Sequence, residues 1–337
     1  MENVNMAGID AFRFRNLHPG LVLGTASDRY AGWLDQVYTR ERWIEGITRR
    51  TKTVGGKAFV EEVLPVASLQ EYFEHFGTLE LDFTFYIPLR DSRGEPTRVY
   101  RLLRTYGQHL HDGDRLVLKA PQTIFAKHFY RRGDYVENQD YLNPEVFIRQ
   151  FYEPSLEILG PWLDAIVFEQ EYQKKDSRVS PSEMAAALDT FFKAIPSDDR
   201  YHLELRTEAM LTSPVLEVME RYGVGQVLSH WTWLPPLWKQ FSMAGRRFLN
   251  TKTAVIRLMT PRGVRYEDAY ARAHPFNALV DGMQTPGMVE DTTRMITAAI
   301  EAETRVSVIV NNRAGGNAPF LAQEIARGFL GATPKAA

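Results

Sequence analysis

A (β/α)8 barrel of the TIM type is the fold that the sequence predicts, and three observations point to it. Eight short β-rich runs recur along the chain, segments with helical spacing separate them, and several of those segments open on helix-start signals and close on glycine. Alternation of strand and helix calls for a parallel sheet. Eight such units in about 310 residues suit closure into a barrel. An open doubly wound sheet is the alternative.

The first run, "LVLGTA" (21–26), follows an N-terminal extension over 1–20. The link from 27 to 78 is too long for one loop and one helix. Its "RRTKTVGGKAFVEEVLP" marks an insertion, placed at 38–66 and expected to cover one mouth of the barrel. The helix candidate "ASLQEYFEHFG" leads to the second run, "LELDFTF" (79–85), and the third is "RLVLKAP" (115–121). Helix "NPEVFIRQFYEPSLEILG" opens on Asn143 before Pro144 and leads to "AIVFEQE" (165–171). Helix "SPSEMAAALDTFFKAI" opens on Ser180 before Pro181 and leads to "YHLELRT" (201–207). Helix "SPVLEVMERYG" opens on Ser213 before Pro214 and leads to "GQVLSH" (225–230). The last two runs are "TAVIRLM" (253–259) and "VSVIVNN" (306–312). No linker divides the chain, so 21–330 reads as one barrel domain with a flexible tail at 331–337.

Composition narrows the function classes. With 337 residues, 44% of them hydrophobic, the chain can bury a large core. Net charge is −2, so no overall field draws in nucleic acid or an acidic membrane. Cysteine is absent, which removes disulfides, thiolate metal sites and a thiol nucleophile. The N-terminus has no apolar core of signal-peptide length, and no apolar run is long enough to span a bilayer, so a soluble cytoplasmic protein is expected.

Barrel strands alternate their side chains in and out, and chemistry gathers at their C-terminal ends. Read at period two, the second run puts Glu80, Asp82 and Thr84 on one face, and the fifth puts His202, Glu204 and Arg206 together. Lys119, Glu169 with Glu171, Arg257 and Asn311 join them from the third, fourth, seventh and eighth runs. The apolar residues between them must pack under the helices, so the polar set faces the axis. A lone buried charge is costly, so these groups either form a structural ion-pair network or line a wet polar site. So many opposed charges in one mouth favour the site.

The strand ends also spell a pattern. "GTASDRYAGW" (24–33), "LELDFTFYIP" (79–88), "LVLKAP" (116–121), "YHLELR" (201–206) and "VNNRAGGNAP" (310–319) occur in that order. Together they resemble the YecE-like family, also called domain of unknown function 72, over about 21–330. The resemblance implies a TIM-type barrel and no established activity. It places the family's recurring polar positions on Glu80, Thr84, Tyr86, Lys119, Glu204, Arg206, Arg257, Asn311, Asn312 and Asn317, and Trp33 closes the first motif. The chain also departs from the pattern. His128 is displaced in "KAPQTIFAKH", Glu169 stands where the family has glutamine, and "RLMT" has Met259 in place of a histidine.

The expected function is an enzyme, of hydrolase type, acting on a phosphorylated or polyhydroxy small molecule at the C-terminal mouth. Glu204, Glu80 and Glu169 are the catalytic candidates. Lys119, Arg206, Arg257, Asn311, Asn312, Asn317, Thr84, Tyr86 and Trp33 are the substrate-binding candidates. The "RAGGNAP" turn also reads as a turn plus helix start with Asn317 as cap. No metal ligand set is assigned. His230 ends the sixth run, and an oxygen-only Mg²⁺ or Mn²⁺ site is easier to build here than a zinc site. A metal-assisted nuclease or phosphodiester hydrolase is therefore the alternative, and a non-catalytic ligand-binding barrel a third reading. Nucleic acid stays open as a partner through local arginine pairs and the tryptophans Trp231, Trp233 and Trp238, the last three read first as core. Oligomeric state is not readable.

Overall fold

The computed structural model describes residues 2–131, 134–173, 175 and 178–332. Part of the expected tail, 333–337, lies outside them. Eight parallel strands close into a barrel in chain order. They are β1 (Leu21–Ala26), β2 (Thr78–Leu81), β3 (Arg115–Lys119), β4 (Leu163–Glu169), β5 (Tyr201–Glu204), β6 (Gly225–His230), β7 (Thr253–Leu258) and β8 (Arg305–Val310). Closure is direct. Leu21 lies opposite Val306 on one side of β1, and Gly24 opposite Thr78 on the other.

The helices begin where the local chemistry satisfies their free amides. Asn143 Oδ1 accepts from the backbone N–H of Glu145 and Val146, at 3.1 and 3.2 Å. Ser180 and Glu183 form a reciprocal capping box. The Ser213 signal works differently. The helix Ser213–Arg221 begins at that residue, with Thr212 in the cap position and no side-chain cap bond.

The strand faces sort as a barrel requires. Leu79, Leu81, Ile166, Phe168 and Leu203 pack outward in the main core under the helices. Val117, Ala165, Val167, Val227, Val255 and Ile309, with Ala26 and Met259, form a separate apolar cluster inside the barrel. Alternation fails in one place. β2 stops at Leu81 and tightens into a 3₁₀ turn, Asp82–Phe85, so Asp82 turns out to solvent instead of inward.

Between β1 and β2 an antiparallel hairpin, Thr48–Val54 with Lys57–Val63, leaves the barrel. It rests on the helix Tyr266–Ala273, where Tyr270 donates to Glu61 at 2.5 Å and Lys52 lies over the Tyr270 ring at 4.9 Å. No helix among the described residues is long and apolar enough to cross a membrane.

His202, expected at the mouth, sits low in the barrel and is fully buried. Its Nδ1 lies 2.9 Å from the Arg200 carbonyl and its Nε2 3.2 Å from that of Thr253. Burial pulls its pKa down, against the two carbonyl contacts. A Cβ on Gly225 would lie 2.8 Å from that same Nε2. Gly225→Ala is therefore expected to cost about 1–3 kcal/mol, read as a lower urea midpoint. An unchanged midpoint would mean that the clamped ring gives way freely.

Candidate functional site

Six charged side chains from five strand ends meet in the upper barrel. Glu80 closes on Arg257 in a bidentate pair, both bonds 2.7 Å. Arg257 Nη1 also donates to Glu204 Oε2 and lies 3.6 Å from Glu169. Arg206 reaches back over the same groups, with Nη1 2.7 Å from Glu169 Oε1 and Nη2 3.1 Å from Glu204 Oε2. Lys119 Nζ completes the set at 2.5 Å from Glu169 Oε2.

Three carboxylates face three cations, so the cluster is formally neutral. It is also nearly dry. Glu80, Glu204 and Arg257 have no exposed surface, Glu169 and Lys119 less than a tenth, and the Arg206 side chain 14%. This corrects the expectation of a water-filled funnel: the charges converge as expected but are buried and paired with one another.

Electrostatics follow the pairing. Burial pushes Glu169 up, but Arg206, Lys119 and Arg257 outweigh it and hold its carboxyl at about 2. Burial works against the Arg257 charge, and the Glu204 and Glu80 carboxylates overcome it, so its pKa is raised. Glu204 Oε1 is buried without a partner, as are Ser229 Oγ and Trp231 Nε1 on the adjoining β6 and its loop. Ser229 is the register partner of Arg257, and the Arg206 guanidinium lies 4.3 Å over the Trp231 ring.

Aromatic groups lie on the segments that follow the strand ends. Phe85 lies under Lys119 Nζ at 4.0 Å, and Tyr266 under Arg313 at 4.4 Å. Tyr172 and Trp233, each about half exposed, sit with ring centroids 5.9 Å apart. Tyr86 is 63% exposed, the most open of these rings.

The remaining candidates divide from the network. Trp33 is wholly buried and donates from Nε1 to Asn312 Oδ1 at 3.2 Å, so its ring is core and not a substrate wall. Asn312 Oδ1 also accepts from the Ala318 N–H at 2.8 Å. Asn317 caps the last helix, accepting from Phe320 N at 2.9 Å, and donates to Gln36 and the Phe276 carbonyl. Asn317 is committed to the turn and its substrate role is withdrawn, whereas Asn312 commits only its oxygen there and keeps a buried, unpartnered Nδ2. Gly316 beside them has φ of 108° and would bring a Cβ to 2.5 Å from the Ala278 carbonyl, so the turn needs that glycine. Asn311 Oδ1 accepts from Arg313 N at 3.0 Å and shapes the same loop. Thr84 is buried, donating to the Lys119 carbonyl at 2.7 Å, which positions β3 and leaves no hydroxyl for a ligand.

The tryptophans do not form one cluster. Trp231 covers Arg206, Trp233 meets Tyr172, and Trp238 lies beneath Arg294 at 3.3 Å. Phe85 and Ser229 are the site groups that sequence reasoning missed, and Trp231, read there first as core, covers Arg206 instead. Position two residues past an inward side chain was the signal available for Ser229 and Trp231.

His230 is buried against Thr285 Oγ1 at 3.1 Å, and burial, then Arg262, lowers it to about 4. Among the described residues no three His, Asp or Glu side chains converge to hold a metal ion. A cavity of about 940 Å³ lies elsewhere, beside Trp238, Arg294 and Gly328 on the helical jacket. Its place gives it no part in the network.

No curated protein matches the chain. Two crystal structures of DUF72 family proteins share its fold. The one from Enterococcus faecalis superposes with a TM-score of 0.55 at 17% identity, covering 94% of this chain and 99% of its own. The one from Thermotoga maritima does so with a TM-score of 0.53 at 13% identity, covering 92% and 99%. The model of the family described as "Protein of unknown function DUF72" matches residues 49–335, and the chain belongs to that family.

Proposed function

We propose that the barrel mouth binds a small polyhydroxy molecule and that the chain is an enzyme acting on it, with Glu204 as the proton acceptor. The observation that carries this reading is Glu204 Oε1, a buried carboxylate oxygen with no donor. Arg206 and Arg257 engage its other oxygen, so Oε1 is left for a substrate hydroxyl. Trp231 Nε1 and Ser229 Oγ supply further unpaired groups close to it in the fold. The aromatic rim suits the apolar face of a sugar-like ring.

The phosphorylated form of the substrate has less support. Each of Lys119, Arg206 and Arg257 already faces a carboxylate, so a phosphate would have to turn to Arg313, whose Nε is buried without an acceptor. A barrel that binds without turnover is a second reading, favoured by the Glu80–Arg257 pair, which is sealed from solvent.

A thermal-shift panel of aldoses, polyols and sugar phosphates tests the proposal. A polyol or aldose is expected to raise the melting temperature of the wild type, and Glu204→Gln is expected to lose that rise. Product formation by NMR then separates turnover from binding. Stabilisation by sugar phosphates alone, or a rise that survives Glu204→Gln, would sink the assignment. Glu204→Gln also removes charge from a buried network, so its own melting temperature is expected to fall, and the comparison must be of shifts.

A further inference from the structure

At the opposite end of the barrel the balance of donors and acceptors is reversed. A cavity of about 560 Å³ opens there, with Arg15, His18, Arg115 and Arg305 on its wall. That volume falls in the range of small-molecule sites. Arg115 begins β3 and Arg305 begins β8, and both lean on one buried carboxylate, Asp164, at 3.1 and 2.6 Å. The other Asp164 oxygen accepts from Ser307 Oγ at 3.2 Å. Two guanidinium groups thus share one anion.

Arg15 is matched separately by Asp114 at 2.7 Å. The remaining wall carboxylate, Asp112, is exposed at the rim, where water screens it. Arg305 Nη1 is buried and has no acceptor. A buried cationic donor without a partner is costly, and an incoming anion would relieve it. His18 adds another donor. Its Nδ1 accepts from Gly20 N at 3.0 Å, so the neutral ring carries its proton on Nε2.

We propose that this basal cavity is a binding site for a phosphate group, free or as a monoester. Its donors come from the N-terminal segment, β3 and β8, so they approach from several directions. That suits a tetrahedral ligand with several oxygens better than a planar carboxylate. The site is separate from the mouth and does not depend on the function assigned there.

The test is a thermal melt in inorganic phosphate against chloride at constant ionic strength. A saturable rise in melting temperature is expected for the wild type and for the mouth variant Arg206→Met. The rise is expected to vanish in Arg305→Met and to shrink severalfold in Arg115→Met. Arg115→Met keeps the Arg305–Asp164 pair, so it carries the test if Arg305→Met fails to fold. Glycerol phosphate in a parallel arm identifies the source. A larger rise than with inorganic phosphate points to a monoester, and an equal rise points to the free ion. No saturable rise in either arm, or one undiminished in both basal variants, overturns the proposal.

Discussion

Arg257→Met is expected to destabilise the barrel by about 3–5 kcal/mol, because it strands buried Glu80 and leaves buried Glu204 with Arg206 alone. Glu80 and Glu204 have no exposed surface, and Glu80 loses both of its 2.7 Å bonds. Methionine fills much of the arginine volume, so the loss reports charge and not a cavity. Urea unfolding measures it. Adding Glu80→Gln and Glu204→Gln to the variant should recover much of the loss, since the stranded charges go with them. A loss below about 1 kcal/mol would put water in the network, as for an exposed pair.

The second large effect is on acid stability. Glu169 titrates at about 2 in the folded chain, against an ordinary value of 4.5. Its folded value is the lower one, so the stability it contributes is present above pH 4.5 and is lost as pH falls towards 2. The difference is worth about 3 kcal/mol. Between pH 5 and 2, the urea midpoint of the wild type should therefore fall more steeply than that of Glu169→Gln. Parallel curves would show that the carboxyl contributes nothing in that range. Asp28 acts in the opposite sense and is present in both chains. Burial raises it to about 6, so it penalises folding progressively as pH rises from 3.8.

The same glutamate bears on selectivity. The family resemblance implies glutamine at this position, which would leave Lys119 and Arg206 with a surplus positive charge. With Glu169 in place the six-residue cluster sums to zero.

The inward charges were legible in the chain because strand alternation is a local property. Lys119, Glu169 and Arg257 each stand two residues from an inward valine, while Glu80 and Glu204 alternate with outward leucines, and an extended backbone must point such sets alike. Asp82 and Thr84 escaped the rule because β2 ends at Leu81, and nothing in "LELDFTF" marks that stop. The pairing was not legible either. Which carboxylate meets which guanidinium depends on the stagger between strands, set by closure of the whole barrel. The amides of Asn312 and Asn317 illustrate a third limit. Asparagine serves a turn and a ligand with the same two groups, and only the positions of Trp33, Gln36 and Phe320 decide between them.

Val117, Val167, Val227, Val255 and Ile309 have a consequence for how the two ends of the molecule communicate. They form an apolar layer across the axis, between the charged cluster at one end and the Asp164 group at the other. Buried His202 and Ser307 stand beside that layer, so the separation of the two poles is a matter of a few side chains.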